Sequence, residues 1–274
     1  MTSIATTRSS PMTGRTLIEM RKVCRDTANL SGKSKPLLSD VTWSLDAHQR
    51  VAVFSSSPLS ARAFLDCAAG VSPPSKGSVS INTNVSWPLG ARGGILNQLT
   101  GRQNATLLQG IYGSPGNLRK DIALIQELSD LEWHAFDQPL RQYTKIMRDR
   151  LYLAISLAFD FDAYIIPKSF AWKQGPGNNT TQRFIDTLKE RTAQKPLIMA
   201  NSHPNFLAEF CTEGIVLHQG RLVHSGDFND CHQWFLSNIK AAEPDNSEDL
   251  PLVNSEDTPE TNDKDDADDM DDLW

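Results

Sequence analysis

Short β-branched and apolar runs alternate along the chain with stretches whose apolar positions recur every three or four residues. The runs predict strands over Leu17–Val23, Leu37–Leu45, Val51–Phe54, Ser78–Asn82, Ala163–Ile166, Pro196–Ala200, Gly214–His218 and Arg221–His224. Helical spacing falls on Ala61–Ala69, Gly101–Tyr112, Asn117–Leu128, Ile146–Phe159, Thr180–Arg191, Pro204–Phe210 and Phe228–Ile239. Strands alternating with helices predict an α/β fold with a largely parallel sheet. From about residue 95 to about residue 160 helix follows helix, which predicts a helical subdomain inserted between two core strands.

The ends of the chain lack such periodicity. Residues 1–15, rich in Ser and Thr, read as a disordered lead-in. A folded unit is expected over 16–240, and an acidic, extended tail over 241–274. The net charge of −6 hides this division: the tail holds 14 Asp and Glu against one Lys, and the rest of the chain carries a net of +7. Dense like charge repels itself and stays solvated. The tail closes on Asp271-Asp272-Leu273-Trp274. Its plain reading is a solubilising segment. The sharper one is a docking peptide in which aspartates steer and Leu273 and Trp274 anchor in a partner. A tail of this sign repels phosphates and argues against nucleic acid as a partner.

Composition narrows the class further. At 274 residues the chain can bury a substantial core. No apolar run reaches the roughly 18 to 20 residues of a membrane-spanning helix, and the N-terminus has no secretory apolar segment, so a cytoplasmic protein is expected. Cys24, Cys67, Cys211 and Cys231 form no C-x-x-C pair and read as thiols, not metal ligands; no metal is expected.

Chemistry is first suggested at residues 51–70, a β-branched strand, a short loop and a helix. This is the outline of a phosphate-binding loop, whose pattern G-x-x-x-x-G-K-[ST] turns backbone amides toward phosphates. Its lysine reaches the β- and γ-phosphates and its hydroxyl ligates Mg²⁺. Here Ser55 and Ser60 stand at the glycine positions, Ala61 at the lysine and Arg62 at the hydroxyl. Pro58, inside the loop, offers no N–H. Arg62 could hold an anion at the helix start, although one step along a helix turns a side chain by about 100°.

Three further segments line up with this one: SWPLGARGGILNQLTGRQN at 86–104, YTKIMRDRLYLAISLAF at 143–159 and ANSHP at 200–204. In this order and spacing, from Leu17 to Phe235, the chain resembles the ATP-binding subunit of ABC transporters. It looks most like the branch exporting capsular polysaccharides, with its W-P-x-G-x-x-G-G, L-T-G-x-x-N and Y-S-S-G-M-R-x-R-L stretches.

The resemblance implies a P-loop NTPase-like ABC ATPase fold with an inserted helical subdomain and an antiparallel β edge. It also implies functional positions, most of which differ here. The strand at 163–166, where the family ends in Asp-Glu, continues into Pro167-Lys168; Lys168 would repel Mg²⁺ and cannot act as the base. The signature loop reads Thr144-Lys145-Ile146-Met147, with a hydroxyl kept at Thr144 and Ile146 in place of the glycine. The adenine-stacking aromatic expected near Cys24 is missing. The bridging glutamine aligns with Leu96, with Gln98 two residues on, and the family's aspartate aligns with Gln174. His203 matches the histidine that contacts the γ-phosphate, and equally suits a cap at a strand end.

Almost every position that would touch ATP, Mg²⁺ or water differs, and positions that pack do not, so a pseudo-ATPase with no bound ATP or Mg²⁺ is expected. Its expected role is a non-hydrolysing subunit or regulator of a polysaccharide export complex. Such a subunit would dock on a polyspanning membrane permease through Arg92, Leu96, Gln98, Thr100 and Arg102. It would sit at the cytoplasmic face of the inner membrane and pair with an intact ATPase paralogue or a second copy. Two other readings stay open: a soluble interaction module outside transport, and a weakly active ATPase subunit.

Overall fold

The computed structural model describes residues 15–27, 36–168 and 179–240. Among them the elements run β1 (Thr16–Asp26), β2 (Pro36–Asp46), β3 (Arg50–Ser55), α1 (Pro58–Ala68), β4 (Lys76–Ile81), α2 (Gly101–Tyr112), α3 (Leu118–Ser129), α4 (Trp133–Phe136), a 3₁₀ turn (Leu140–Gln142), α5 (Lys145–Ala158), β5 (Tyr164–Ile166), α6 (Asn179–Thr192), β6 (Leu197–Met199), α7 (Pro204–Phe210), β7 (Glu213–His218), β8 (Arg221–Asp227), α8 (Phe228–Phe235) and a π-helical turn (Leu236–Lys240). Gln174, Leu273 and Trp274 lie outside the described residues.

The strands divide into two sheets. One has the order β5-β6-β3-β7-β8, parallel except for the edge strand β8. The other is antiparallel, in the order β2-β1-β4, with Met20 opposite Trp43 and Ile18 opposite Ile81. The expectation of a largely parallel sheet therefore holds for the first sheet alone. β2 pairs with one edge of β1 and β4 with the other, both antiparallel.

Two-residue alternation along β3 sorts the core. Val51 and Val53 face the antiparallel sheet and α1, in a cluster with Phe64, Leu65, Ile165 and Ile198. Ala52 and Phe54 face the helices, with Leu151, Ile155, Met199 and Phe228. Because β3 is covered on both faces, its sequence reads as a continuous apolar run instead of alternating with polar residues. α1 lies against the antiparallel sheet, and its Phe64 ring meets Trp43 edge-on at 5.2 Å.

The stretch from α2 to α5 is helical throughout, as the spacing predicts. α3 packs on α5, and the ion pair of Arg150 with Asp130 (3.5 Å) joins them. Two pieces escape the periodicity, the four-residue α4 and the 3₁₀ turn after it. Both are shorter than the window in which a helical period becomes visible. No helix of the described residues is long and apolar enough to cross a membrane.

Candidate functional site

Three parallel strands deliver their carboxyl ends to one place: β3 at Ser55, β5 at Ile166 and β6 at Met199. Crevices at such strand ends are where open α/β sheets bind ligands. A cavity of about 630 Å³ opens there. Its walls bring together Ser55, Pro58, Ala61 and Arg62 from the loop and α1, Pro167 and Lys168 from the end of β5, and Asn201 and Ser202 after β6. Ser60, by contrast, is buried at 5% exposure and does not line it.

The loop is closed by its own serines. Ser55 Oγ accepts the Ser57 N–H at 3.2 Å and donates to the Ser57 carbonyl at 3.0 Å. Ser57 then caps α1, its Oγ accepting the Ser60 N–H at 3.2 Å, while its carbonyl takes the Ala61 N–H at 3.1 Å. Pro58 occupies the first helical position, where its missing N–H costs nothing. This cap starts the helix at Pro58, three residues before the apolar spacing places it. Of the amides between Ser57 and Ala61, those of Ser57, Ser60 and Ala61 are engaged inside the loop, and Pro58 has none.

The charges at the cavity are Arg62, Lys168 and Asp66. Arg62 turns along the helix to Asp66 at 3.5 Å, so its guanidinium is shared with a carboxylate one turn on. Burial pushes the Asp66 carboxyl up, against the pull of Arg62. β5 leads into Pro167 and Lys168, so no carboxylate stands at the end of that strand. Lys168 is exposed and makes no ion pair among the described residues. Those residues also contain no group of three His, Cys, Asp or Glu side chains placed to hold a metal.

One side of the cavity is closed by residues that the loop pattern does not announce. His232 and Phe235 of α8 and Leu236 of the following turn line it. Phe54 holds them: its ring stacks on His232 at 5.5 Å and on Phe235 at 5.9 Å, and meets Phe228 at 5.5 Å. The apolar spacing of 228–239 predicts a helix but does not say what it covers. An aromatic, Phe54, at the strand end directly before the loop is the available signal.

The remaining candidates are not among the residues that line the cavity. Thr144 caps α5 by accepting the Met147 N–H at 3.3 Å, Lys145 is exposed beside it, and Ile146 stands in the first turn at 57% exposure. His203 precedes α7 with an exposed ring that makes no cap bond; its backbone N–H donates to Asn201 Oδ1 at 2.9 Å. Neither Thr144–Met147 nor His203 itself lines the cavity, although Ser202 and Pro204 on either side of His203 do.

The segment 86–104 is a packed structure beside β5. Leu89 N–H donates to the Ile165 carbonyl, and the buried Ser86 Oγ accepts the Ile165 N–H at 2.9 Å. The Trp87 indole and the Gly90 N–H both donate to Ser156 Oγ of α5 at 3.1 Å. Thr100 and Gln103 form a reciprocal capping box at the start of α2. Gly101 is required by space: a Cβ there would stand 2.5 Å from Tyr143 Oη and 2.8 Å from the Phe136 ring. Asn104, fully buried, closes the loop before it, accepting the Leu96 N–H at 2.8 Å and donating to the Leu96 and Thr100 carbonyls at 3.0 Å. Of the surface residues here, Arg92, Leu96 and Gln98 are exposed, and Arg102 is engaged with Asp137 at 2.7 Å and with the Phe136 ring.

Comparison with known proteins gives three informative likenesses; no family model matches the chain. The polysialic acid transport ATP-binding protein KpsT of Escherichia coli is 30% identical over 150 residues, 55% of this chain and 67% of that protein. The capsule polysaccharide export ATP-binding protein CtrD of Neisseria meningitidis serogroup B is 24% identical over 207 residues, 74% of this chain and 91% of the relative. Among solved structures, a dimeric ATP-binding cassette in a post-hydrolysis state with ADP and phosphate superposes with a TM-score of 0.62. It is 16% identical and covers 77% of this chain and 99% of its own, a likeness of fold.

Proposed function

This chain belongs to the ABC ATP-binding proteins of capsular polysaccharide export, and on that premise we propose that it is a non-hydrolysing subunit or regulator of such an export complex. The observation that carries the reading is the self-closed phosphate loop. Amides that would have to face phosphate oxygens are bonded to Ser55 and Ser57 instead. With Ala61 at the lysine position no side chain reaches the β- and γ-phosphates. Pro167-Lys168 at the end of β5 adds a cation where Mg²⁺ would need a carboxylate. The residues present do not fit Mg-ATP.

A role in a complex survives this loss. An intact ATPase partner would bring its own phosphate loop and carboxylates, and this chain would offer Thr144–Met147 across the interface. The exposed Ile146 replaces a glycine there and narrows the approach of a partner's nucleotide, so that shared site works weakly. Docking on a polyspanning permease falls to the surface around Arg92, Leu96 and Gln98.

The test is purification of the tagged full chain from the membranes of its native host, with ATP hydrolysis measured on the isolated chain. Recovery of a polyspanning membrane protein with no ATP turnover by the chain alone supports the proposal. Recovery of soluble proteins alone points to an interaction module outside transport, and turnover by the isolated chain points to an active ATPase.

A further inference from the structure

The cavity beside Ser55–Arg62 has the makings of a binding site once nucleotide is set aside. Its volume of about 630 Å³ lies within the roughly 300–1,000 Å³ of pockets that take drug-sized ligands. Leu59, Leu65, Phe235 and Leu236 give it an apolar wall, and Leu59 is 61% exposed. Arg62, shared with the lining carboxylate of Asp66, and Lys168, which makes no ion pair among the described residues, give its edge a net positive charge. An apolar wall rimmed by cations suits a ligand that is anionic and aromatic.

A segment with that chemistry belongs to the same chain. Leu236 lines the cavity, and the turn that holds it leads directly into residues 241–274. Those residues carry 14 Asp and Glu against one Lys and include Asp271-Asp272-Leu273-Trp274. The folded part carries the opposite sign. We infer that this segment docks back on its own chain: Leu273 and Trp274 enter the cavity, and Asp271 and Asp272 lie against Lys168 and Arg62. Aspartates beside an indole offer anionic groups and a flat ring, the two chemistries a nucleotide would have brought.

Reach and affinity favour the intramolecular arrangement. The 33 steps from Lys240 to Leu273 give a flexible chain a span of about 30 Å, and like charge extends it. Tethering supplies an effective concentration of order millimolar, so even a weak contact is populated. The indole and the Leu273 side chain together remove apolar area from water at about 25 cal/mol per Å². The aspartates bring selectivity for this rim more than affinity.

This inference rests on the reading that the cavity has lost its nucleotide, yet the two fail separately: saturable ATP binding overturns that reading, whereas the experiment here is done without nucleotide. Hydrogen exchange followed by mass spectrometry compares the full chain with the full-length double variant Leu273→Ser, Trp274→Ser. A second full-length variant, Lys168→Glu, changes the rim alone. In the parent protein, peptides covering 58–66 and 232–238, and the terminal peptide itself, are expected to exchange about five-fold or more slowly than in the double variant. That ratio follows when a millimolar effective concentration exceeds the dissociation constant several times. Lys168→Glu and high salt should each reduce the protection. Equal exchange in parent and double variant overturns the inference. So does protection that maps to another face, or protection that disappears on dilution and therefore reports a second copy of the chain.

Discussion

Ser57 Oγ lies 3.2 Å from the Ser60 amide and accepts its hydrogen. In a nucleotide-holding loop that helix end would be left open for a phosphate. Here a side chain one turn earlier occupies it, and Ser55 occupies the amide of Ser57 in turn. The loop is closed by its own serine side chains. Replacing Ser57 by Ala should therefore lower stability by about 1 kcal/mol, the usual worth of a helix N-cap, as read by chemical denaturation. If the cap were idle, the midpoint would not move.

Asn104 does for the segment 96–100 what Ser57 does for the phosphate loop. Its buried amide satisfies the Leu96 N–H and the carbonyls of Leu96 and Thr100. Asn104→Ala leaves those groups without partners in a buried site and should cost about 2–4 kcal/mol. Asn104→Asp restores the acceptor but not the donors, and is expected to recover only part of the loss. Thermal denaturation of the two variants checks the order.

Three of the four cysteines are buried, and burial pushes their thiols up: Cys211 to about 12, Cys67 and Cys231 to about 11. Thiolate is the reactive form. At pH 8 a thiol reagent should modify Cys24 in the native protein and reach the other three only on unfolding. Counting modified thiols by intact mass before and after denaturant gives the answer; rapid reaction at Cys211 in the native state would be inconsistent with this core.

Asp162 ties the end of the helical stretch to the sheet. The Thr83 hydroxyl donates to its carboxylate at 2.7 Å and the Asn84 N–H at 3.1 Å, and these bonds hold the group below its ordinary range. A carboxyl depressed in the folded state contributes stability above its unfolded pKa and loses it as pH falls through the folded value. The stability gap between the parent and Asp162→Asn should be full at pH 7 and close in acid, below the ordinary carboxylate range. A gap independent of pH would mean that the carboxylate charge contributes nothing.

Much of this architecture is legible in the sequence, for local reasons. β3 and its helix announce themselves by a β-branched run followed by helical spacing, and Gly101 and Asn104 fall inside a recognisable stretch because their packing permits few alternatives. Strand partnership is not legible in the same way. The antiparallel β edge that the resemblance implies is present, but that β1, β2 and β4 are the strands that form it leaves no periodic mark. The closing of the cavity by His232, Phe235 and Leu236 was hidden too, since an apolar stripe on α8 tells that something is covered and not what. The replacements at Ser55–Arg62 and Pro167-Lys168 are readable as residue types, while the self-capping of Ser57 needed backbone geometry.

The proposed function requires that the loop at Ser55–Arg62 takes no nucleotide. Calorimetric titration of the full chain with ATP, with and without Mg²⁺, tests it most directly. No saturable heat up to millimolar ATP, and no dependence on Mg²⁺, is the expected result. Saturable binding in the micromolar range, strengthened by Mg²⁺, would contradict it.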